Sequence, residues 1–472
     1  MRFIAMFMDQ LDLKALGLRK PTAVRGGLEY DSWVLPALFI YGHMMGIRST
    51  RRLEAAAREN LPLIWLLGGQ HPDHSTLALF YKANRTAMHG LFVQTVRTSV
   101  RVGLVGFALH AVDGTRVSAV SRDKALNRDG LLALEKRAEE AIARLDRAVE
   151  ADEQGDSPDS DAHTMPEELK DPEELKARIQ AALAELDQQQ ANRKSHHGGA
   201  INPQTGQPYG PEVSLAGPQA VQLKGRHGFV LGCNAQAAVD NKARVIVGAD
   251  VIAQATDNEA MVPMLDEIKT NTGQLAEATV HDSGYHSADN LAAVQDRPTA
   301  VYVADPSMKR KASKSEKQAY HKDAFVYDAE TDTYRCPAGK TLDLETAYDD
   351  PSQPTYGVRV CRCKECGSCP HRSLCTEAKG GRTIRVHPHD ALLKQNREKM
   401  RTEQGKDMMK QRSATVEPVF GIMREHMGLT RFLRRGLENV RAEWSLLCAA
   451  HNLPVIWNAW WCRTQQQATA AA

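Results

Sequence analysis

Two segments of the 472-residue chain end an apolar run on a single carboxylate with a glycine close behind. In "FALHAVDGTRVSAV" (107–120) the acid is Asp113 and the run breaks at Gly114; in "LAEATVHDSGYHSADN" (275–290) it is Asp282, with Gly284 two residues on. An ionised carboxylate at the edge of a buried strand is costly unless a base, a hydrogen-bond network or a metal pairs with it. A third acid, Glu417 in "SATVEPVFGIMREHMG" (413–428), lies seven residues before Arg424. If 415–427 is helical, two turns put both on one face with Gly421 between them. Pro418 then sits near the helix start, where its missing N–H does no harm. A carboxylate, a gap and a guanidinium on one stripe suit a metal ion with a phosphate beside it. The same spacing also fits a surface Glu and Arg on an amphipathic helix.

If the strands carrying Asp113 and Asp282 are neighbours, their carboxylates repel unless cations lie between them. Mg²⁺ or Mn²⁺ suits such a site through hard oxygen ligands, retained waters and substrate phosphate. Two ions about 4 Å apart activate a nucleophile and stabilise the leaving oxygen of a phosphodiester.

A second constellation is made of sulfur. Of nine cysteines, five fall within 361–375. In a reducing compartment that crowding points to metal rather than disulfides. Cys361, Cys363, Cys366, Cys369 and Cys375, with Cys336 and His371 nearby, exceed the four ligands of a structural Zn²⁺. Cys363, Cys366, Cys369 and Cys375 are the expected set, and a reduced, metal-free thiol loop is the alternative. Cys233, Cys448 and Cys462 lie in apolar surroundings and read as core, and His110 reads as a satisfied core or edge residue.

These residues need elements to hold them. Residues 1–105 read as helical, with Arg48, Arg51 and Arg52 clustered on what is either a DNA-facing or a merely solvated face. "HPDHST" (71–76) reads as a loop ending in a helix cap at Ser75 or Thr76. Residues 129–150 and 173–190 carry apolar stripes at helical spacing and read as a helical hairpin inserted in a larger domain. Residues 191–225, rich in Gly, Pro, Asn and Gln, read as loop. Strands are expected at 227–240 and 243–253 as a hairpin, and at 298–306, with a helix at 257–269 and a further helical stretch at 412–462. Strands interleaved with helices give an α/β chain around a mixed sheet.

A formal net charge of +2 settles nothing about partners, but its distribution is uneven. Residues 151–175 hold ten acids and one Lys, whereas 359–401 hold eleven basic and four acidic residues, a pattern suited to polyanion binding. No run of 18 apolar residues exists and the N-terminus lacks a signal-peptide pattern, so a non-secreted, cytoplasmic protein with no membrane partner is expected.

Taken in order, the motifs "YGHMMGIRSTRRLEAAARENLPLIWLLGGQHPDHSTLALF", "AVDGTRVSAV", "GFVLGCNAQAAVDNKARVIVGADV", "VHDSGYHSADNL" and "SATVEPVFGIMREHMGLTRFLRRGLENVRAEW" resemble a DDE transposase of a bacterial insertion sequence, of the group named insertion sequence eleven-eighty-two. The resemblance covers nearly the whole chain. It implies an RNase H-like core in which Asp113, Asp282 and Glu417 hold the catalytic cations. It implies that Arg412 and Arg424 touch DNA phosphate, with Arg431, Arg434, Arg435, Arg51 and Arg52 as further DNA contacts. Two departures stand out: "MMKQR" supplies Met where related enzymes often have Tyr before the upstream Arg, and His281 replaces a small residue.

The implied plan is a helical DNA-binding domain (1–105), the first part of the core (106–306, with a helical insertion at 121–225), a basic and Cys-rich insertion (307–400) and a C-terminal helical part (401–462). The implied activity cuts the element's ends and joins them to target DNA, with a homodimer holding two ends at the nucleoid. The rival is a catalytically inactive or repurposed sequence-specific DNA-binding protein.

Overall fold

The computed structural model describes residues 1–19, 30–119, 126–153, 172–193, 213–214, 219–225, 228–306, 320, 322–350 and 356–471. The basic loop at 309–317 and the acidic stretch at 154–171 lie outside them.

The described chain is α/β with mixed sheets. Five helices come first: α1 (Arg2–Asp9), α2 (Val34–Met44), α3 (Thr50–Glu59), α4 (Leu61–Leu66) and α5 (His74–Arg101). The cap of α5 is Asp73, not Ser75 or Thr76, because its carboxylate accepts from Thr76 N–H at 2.7 Å and also binds the Thr76 hydroxyl. A carboxylate one turn earlier satisfies the orphan amides that the hydroxyls were expected to take.

The main sheet gathers β1 (Leu109–Ser118), β2 (Val221–Gly225), β3 (Gly228–Asp240), β4 (Ile246–Ile252), β5 (Ala278–His281) and β6 (Ala300–Val303). Its order is β2-β3-β1-β5-β6, and β4 pairs with the second half of β3. The β3 pairings are antiparallel, whereas β1–β5 and β5–β6 run parallel. The strand β2 corrects the expectation of loop to residue 225. This Val-Gln-Leu-Lys-Gly segment buries Leu223 and pairs with the first half of long β3, residues 228–232, which extends beyond β4. The hairpin at 228–252 forms as the alternating apolar residues require. Its following helix splits into a short turn (Asn258–Ala260) and α8 (Met261–Thr272), closed by Gly273 at φ +89°. A short α9 (Ala288–Ala293) links β5 to β6.

The hairpin of α6 (Arg128–Glu153) and α7 (Pro172–Arg193) has its own small core of Leu131, Ala138, Leu175, Ile179, Ala182, Leu186 and Val213. A second sheet, wholly antiparallel, runs β11-β10-β9-β8-β7 from β7 (Val326–Asp328), β8 (Thr333–Arg335), β9 (Thr341–Ala347), β10 (Arg359–Arg362) and β11 (Thr383–Val386). It packs around Phe325, Leu342, Cys361, Cys363, Cys366 and Ile384.

The chain ends in α10 (Asp390–Arg401), α11 (Glu403–Glu425) and α12 (Leu437–Ala471). The single helical stretch expected over 412–462 is therefore two helices, broken near Gly428, Gly436 and their left-handed backbone. The start of α11 also lies earlier than expected, at Glu403, because Thr402 caps it by accepting from Gly405 N–H at 3.0 Å. Pro418 is thus a helix-interior proline, and the carbonyl it leaves unbonded belongs to exposed Ala414, open to water.

One continuous core runs from Ile4 through both faces of the main sheet to Ile456. Helices α5 and α12 pack on each other and on β4, and α11 crosses β1, β3 and β5. Cys233 and Cys448 are buried as expected, but Cys462 is exposed, on the last turns of α12 beyond the core. Among the C-terminal tryptophans, Trp457 meets Phe3 with its ring tilted by 52°, while Trp460 and Trp461 are about half exposed. Among the described residues, no helix is long and apolar enough to cross a membrane.

Candidate active site

Parallel pairing of β1 with β5 aligns Val112 with His281 and stops there, which sets Asp113 beside Asp282. The strand does not break at Gly114 as expected: β1 runs on to Ser118 because Asp113 and Gly114 stay paired with Ala237 and Gln236 of β3, whereas Asp282 follows the last residue of β5. The first Asp is held on both oxygens: Oδ1 accepts from Gly114 N–H at 3.0 Å, and Oδ2 lies 2.9 Å from Arg412 Nη1. Asp282 caps the turn that follows β5, its Oδ1 accepting from Gly284 N–H at 2.6 Å. Burial pushes the Asp113 carboxyl above its ordinary value against the pull of the Arg412 guanidinium, and the Asp282 charge adds to the rise. The rise is chiefly a cost of burial, and the neighbouring carboxylate is a smaller part of it.

A third carboxylate, unforeseen from sequence, completes the group. Asp257 accepts from Asn234 Nδ2 and Gln236 Nε2, each at 2.7 Å, and Tyr285 donates its hydroxyl to Gln236 Oε1. A Cβ on Gly114 would lie 2.5 Å from Asp257 Oδ1, and one on Gly284 only 2.4 Å from Asp257 Oδ2. The glycine behind each acid is therefore there to admit Asp257. Fully buried Tyr285 is pushed well above its usual value by burial and by the Asp257, Asp113 and Asp282 charges together. Two polar residues at period-2 spacing in apolar β3, Asn234 and Gln236, were the available signal for this network.

His281 sits behind the pair, fully buried, edge-on to Tyr285 with ring centroids 5.2 Å apart. Burial and the Arg412 charge bring it down to about 3, so it stays neutral. Its ring fills the space that a small residue would leave.

Helix α11 lies across these strand ends. Arg424 Nη2 donates to Thr115 Oγ1 at 2.5 Å, and Thr115 is on the same face of β1 as Asp113. Glu417 is exposed and lies between the two arginine anchors along the helix, about 10 Å from Arg424 on the same stripe. Asp113 and Asp282 are brought together, but among the described residues no three His, Cys, Asp or Glu side chains converge closely enough to hold a metal ion. Glu417 is not drawn into the pair.

The basic residues divide. Arg51, Arg52, Arg431 and Arg435 are exposed. Arg434 is half-buried, its guanidinium 4.1 Å from the centre of the Tyr81 ring. Arg412 is buried and committed to Asp113. Arg48, which sequence grouped with the exposed arginines, is buried: it donates to Gly428 O and Arg431 O at 2.6 Å and pairs with Glu443 at 2.5 Å.

The cysteines gather at the second sheet. Cys336, Cys363, Cys366, Cys369 and Cys375 line one cavity of about 20 Å³ with Tyr320, Lys340, Arg372 and Arg382, whereas Cys361 is fully buried among the apolar residues of that sheet. His371 stacks on Tyr320 with centroids 5.7 Å apart.

Two family models match the chain. Residues 335–457 match the model described as Transposase DDE domain, and residues 2–83 the model described as Transposase domain (DUF772). Glu417, Arg412 and Arg424 fall inside the first, Arg51 and Arg52 inside the second, and Asp113 and Asp282 in neither. No curated protein matches. Together the two matches support a DDE transposase of an insertion element, a class that cuts and transfers DNA.

Proposed function

We propose that the chain cuts the ends of an insertion sequence of the eleven-eighty-two group and joins them to target DNA, with Asp113, Asp282 and Glu417 as its catalytic acids. The observation that carries this reading is that Asp113, midway along β1, and Asp282, just after β5, each follow the last paired residues of these parallel neighbours, beside the helix that bears Glu417. The sheet supports an RNase H-like core: three antiparallel strands (β4, β3, β1) lie beside two parallel ones (β5, β6), with Asp113 on β1 and Asp282 immediately after β5.

The donor set suits a hard divalent cation: the carboxylate oxygens of Asp113 and Asp282, with the Arg412 guanidinium in contact with the first. Mg²⁺ or Mn²⁺, when bound, supplies Lewis acidity and an activated water at the phosphodiester. The protein's own residues do the rest. Asp113 and Asp282 are fixed by backbone amides, so their oxygens are oriented before substrate arrives. Arg412 holds the Asp113 carboxylate, and Arg424, anchored on Thr115, lies at the edge where a phosphate would be neutralised. Exposed Arg51, Arg52, Arg431 and Arg435 lie outside the acid pair and would bind phosphates along the duplex, giving salt-dependent affinity. Arg434 has one face on Tyr81 and contributes from there. A homodimer at the bacterial nucleoid would hold two element ends.

The test uses full-length protein and labelled DNA carrying the element ends. Metal-dependent cutting and joined products are expected from the wild type. Cutting should be lost in Asp113→Asn, Asp282→Asn and Glu417→Gln while DNA binding is retained. Cutting that survives Glu417→Gln overturns the third acid, and binding without cutting in either metal would mark a repurposed DNA-binding protein.

A further inference from the structure

Five thiols line one small cavity in the second sheet, and they reach it from separate parts of the chain. Cys336 sits in the turn between β8 and β9, Cys363 just after β10, and Cys366, Cys369 and Cys375 on the turns that follow. All are free thiols, and an odd set of five leaves at least one outside any disulfide arrangement.

Three features of this cavity would stabilise thiolates once they are bound to an ion. First, backbone amides aim at sulfur: Lys340 N–H donates to Cys336 Sγ at 3.3 Å, and Arg382 N–H to Cys366 Sγ at 3.2 Å. Second, the turns that deliver those amides are built for close approach. Gly339 has φ +78°, and a Cβ on Gly381, at φ +93°, would lie 2.3 Å from Cys363 O and 3.4 Å from Cys366 Cβ. Only glycine lets the Arg382 strand pass this close to the cysteine turn. Third, every charged side chain lining the cavity is a cation: Lys340, Arg372 and Arg382. The Nε of Arg382 is buried there without a hydrogen-bond partner. A buried donor with no acceptor is a standing cost unless an anion arrives to take it.

We propose that this cavity is a structural Zn²⁺ site in which four of the five thiols, Cys336 among them, close on one ion. Each ligating thiol gives its proton to solvent, and the four thiolates with Zn²⁺ form a net dianion that Lys340, Arg372 and Arg382 neutralise. At about 20 Å³ the cavity has room for one ion and not for a ligand of any size. As they stand no three of the thiols converge closely enough to hold an ion, and rotation about their Cα–Cβ bonds would close four of them on one. Cys336 ties the β8–β9 hairpin to the turns after β10, so the ion staples a sheet whose own buried core is only a handful of residues. Cys361 and His371, both inside the crowded sequence cluster, are left out: one faces the apolar core and the other stacks on Tyr320.

The experiment measures metal per chain in full-length protein purified in reductant and reconstituted with Zn²⁺. One zinc per chain is expected for the wild type, for Cys361→Ser and for Asp113→Asn, and near-complete loss for Cys336→Ser and Cys366→Ser. Wild-type protein loaded with Co²⁺ should show the intense visible absorption of tetrahedral cobalt thiolate, a reading that does not depend on any variant folding. Wild type that takes up no zinc, or a cobalt spectrum without thiolate bands, overturns the site. A full equivalent retained by Cys336→Ser overturns the ligand set. Neither result bears on the three acids, because zinc content is read without DNA cleavage.

Discussion

Replacing Arg48 by Met should destabilise the chain far more than an arginine in a surface cluster would. Arg48 lies at the end of the loop after α2, 4% exposed, and Glu443 on α12 is 1% exposed. The guanidinium joins Gly428 O, Arg431 O and Glu443 Oε1, while Glu443 also accepts the amides of Leu433 and Arg434 at 2.9–3.1 Å. Methionine keeps the aliphatic stem but strands a buried carboxylate and two carbonyls. Removing one partner of a buried pair costs about 3–5 kcal/mol. The two amides left on Glu443 keep the value toward the lower end. Urea unfolding followed by tryptophan fluorescence measures it. The double variant Arg48→Met/Glu443→Leu, which removes the stranded charge, should recover most of the loss. The loop between α11 and α12 that Arg48 and Glu443 brace carries Arg431, Arg434 and Arg435, so DNA affinity should fall in the single variant and return in part in the double. A loss below about 1 kcal/mol, the range of exposed pairs, would refute the buried-network account.

Three further outcomes follow from the same geometry. Burial pushes Glu267 up to about 8, so the folded chain holds a proton that the unfolded chain releases near 4.5, and stability falls as pH rises between those values. At about 1.4 kcal/mol per pH decade, Glu267→Gln should gain up to ~5 kcal/mol over wild type at pH 9 and almost nothing at pH 4 in thermal melts; equal gains at both would refute the assignment. Asp257→Asn keeps the shape but removes a charge beside the acid pair, and end cutting should drop at least tenfold, about 1.4 kcal/mol, with DNA binding unchanged; wild-type cutting rates would separate Asp257 from the site. Gly284→Ala forces a Cβ to within 2.4 Å of Asp257 and should cost about 1–3 kcal/mol in urea unfolding, whereas Gly421→Ala, with open space around it, should stabilise α11 by about 1 kcal/mol. Equal effects of the two would contradict the packing.

What was legible in the sequence was what repeats or alternates. The rise to an acid followed by glycine marked a strand end at Asp282 but not at Asp113, where β1 continues to Ser118 on its pairing with β3; the two strands prove to be parallel neighbours. The hairpin of β3 and β4 and the paired helices α6 and α7 showed in their apolar periodicity. What was not legible depended on partners far along the chain. The sequence around Arg48 looks like a basic surface, and only the docking of α12 some 395 residues later turns it inward. Asp257 sits in an unremarkable turn, and its role appears only when β3 lays Asn234 and Gln236 beneath it. The start of α11 was misplaced for a local reason: proline is a strong signal for a first turn, but Thr402 supplies the stronger cap fifteen residues before Glu417. Of the cysteine cluster, spacing alone gave Cys363, Cys366, Cys369 and Cys375, whereas Cys336 joins them through the pairing of β8, β9 and β10.

Arg412 connects these observations. A carboxylate pair between parallel strands needs positive charge, and in this arrangement the helix that bears Glu417 provides it from a buried guanidinium on Asp113. One guanidinium serves only one of the acids, since burial still holds the Asp113 carboxyl above its ordinary value. The same helix is pinned twelve residues further on by Arg424 at Thr115, so Glu417 lies between two fixed points along it. Divalent cations entering between Asp113 and Asp282 would relieve the charge shortage that Arg412 only partly meets. They would also give Glu417 its reason to turn inward, because an exposed carboxylate gains from leaving water only when a cation waits for it.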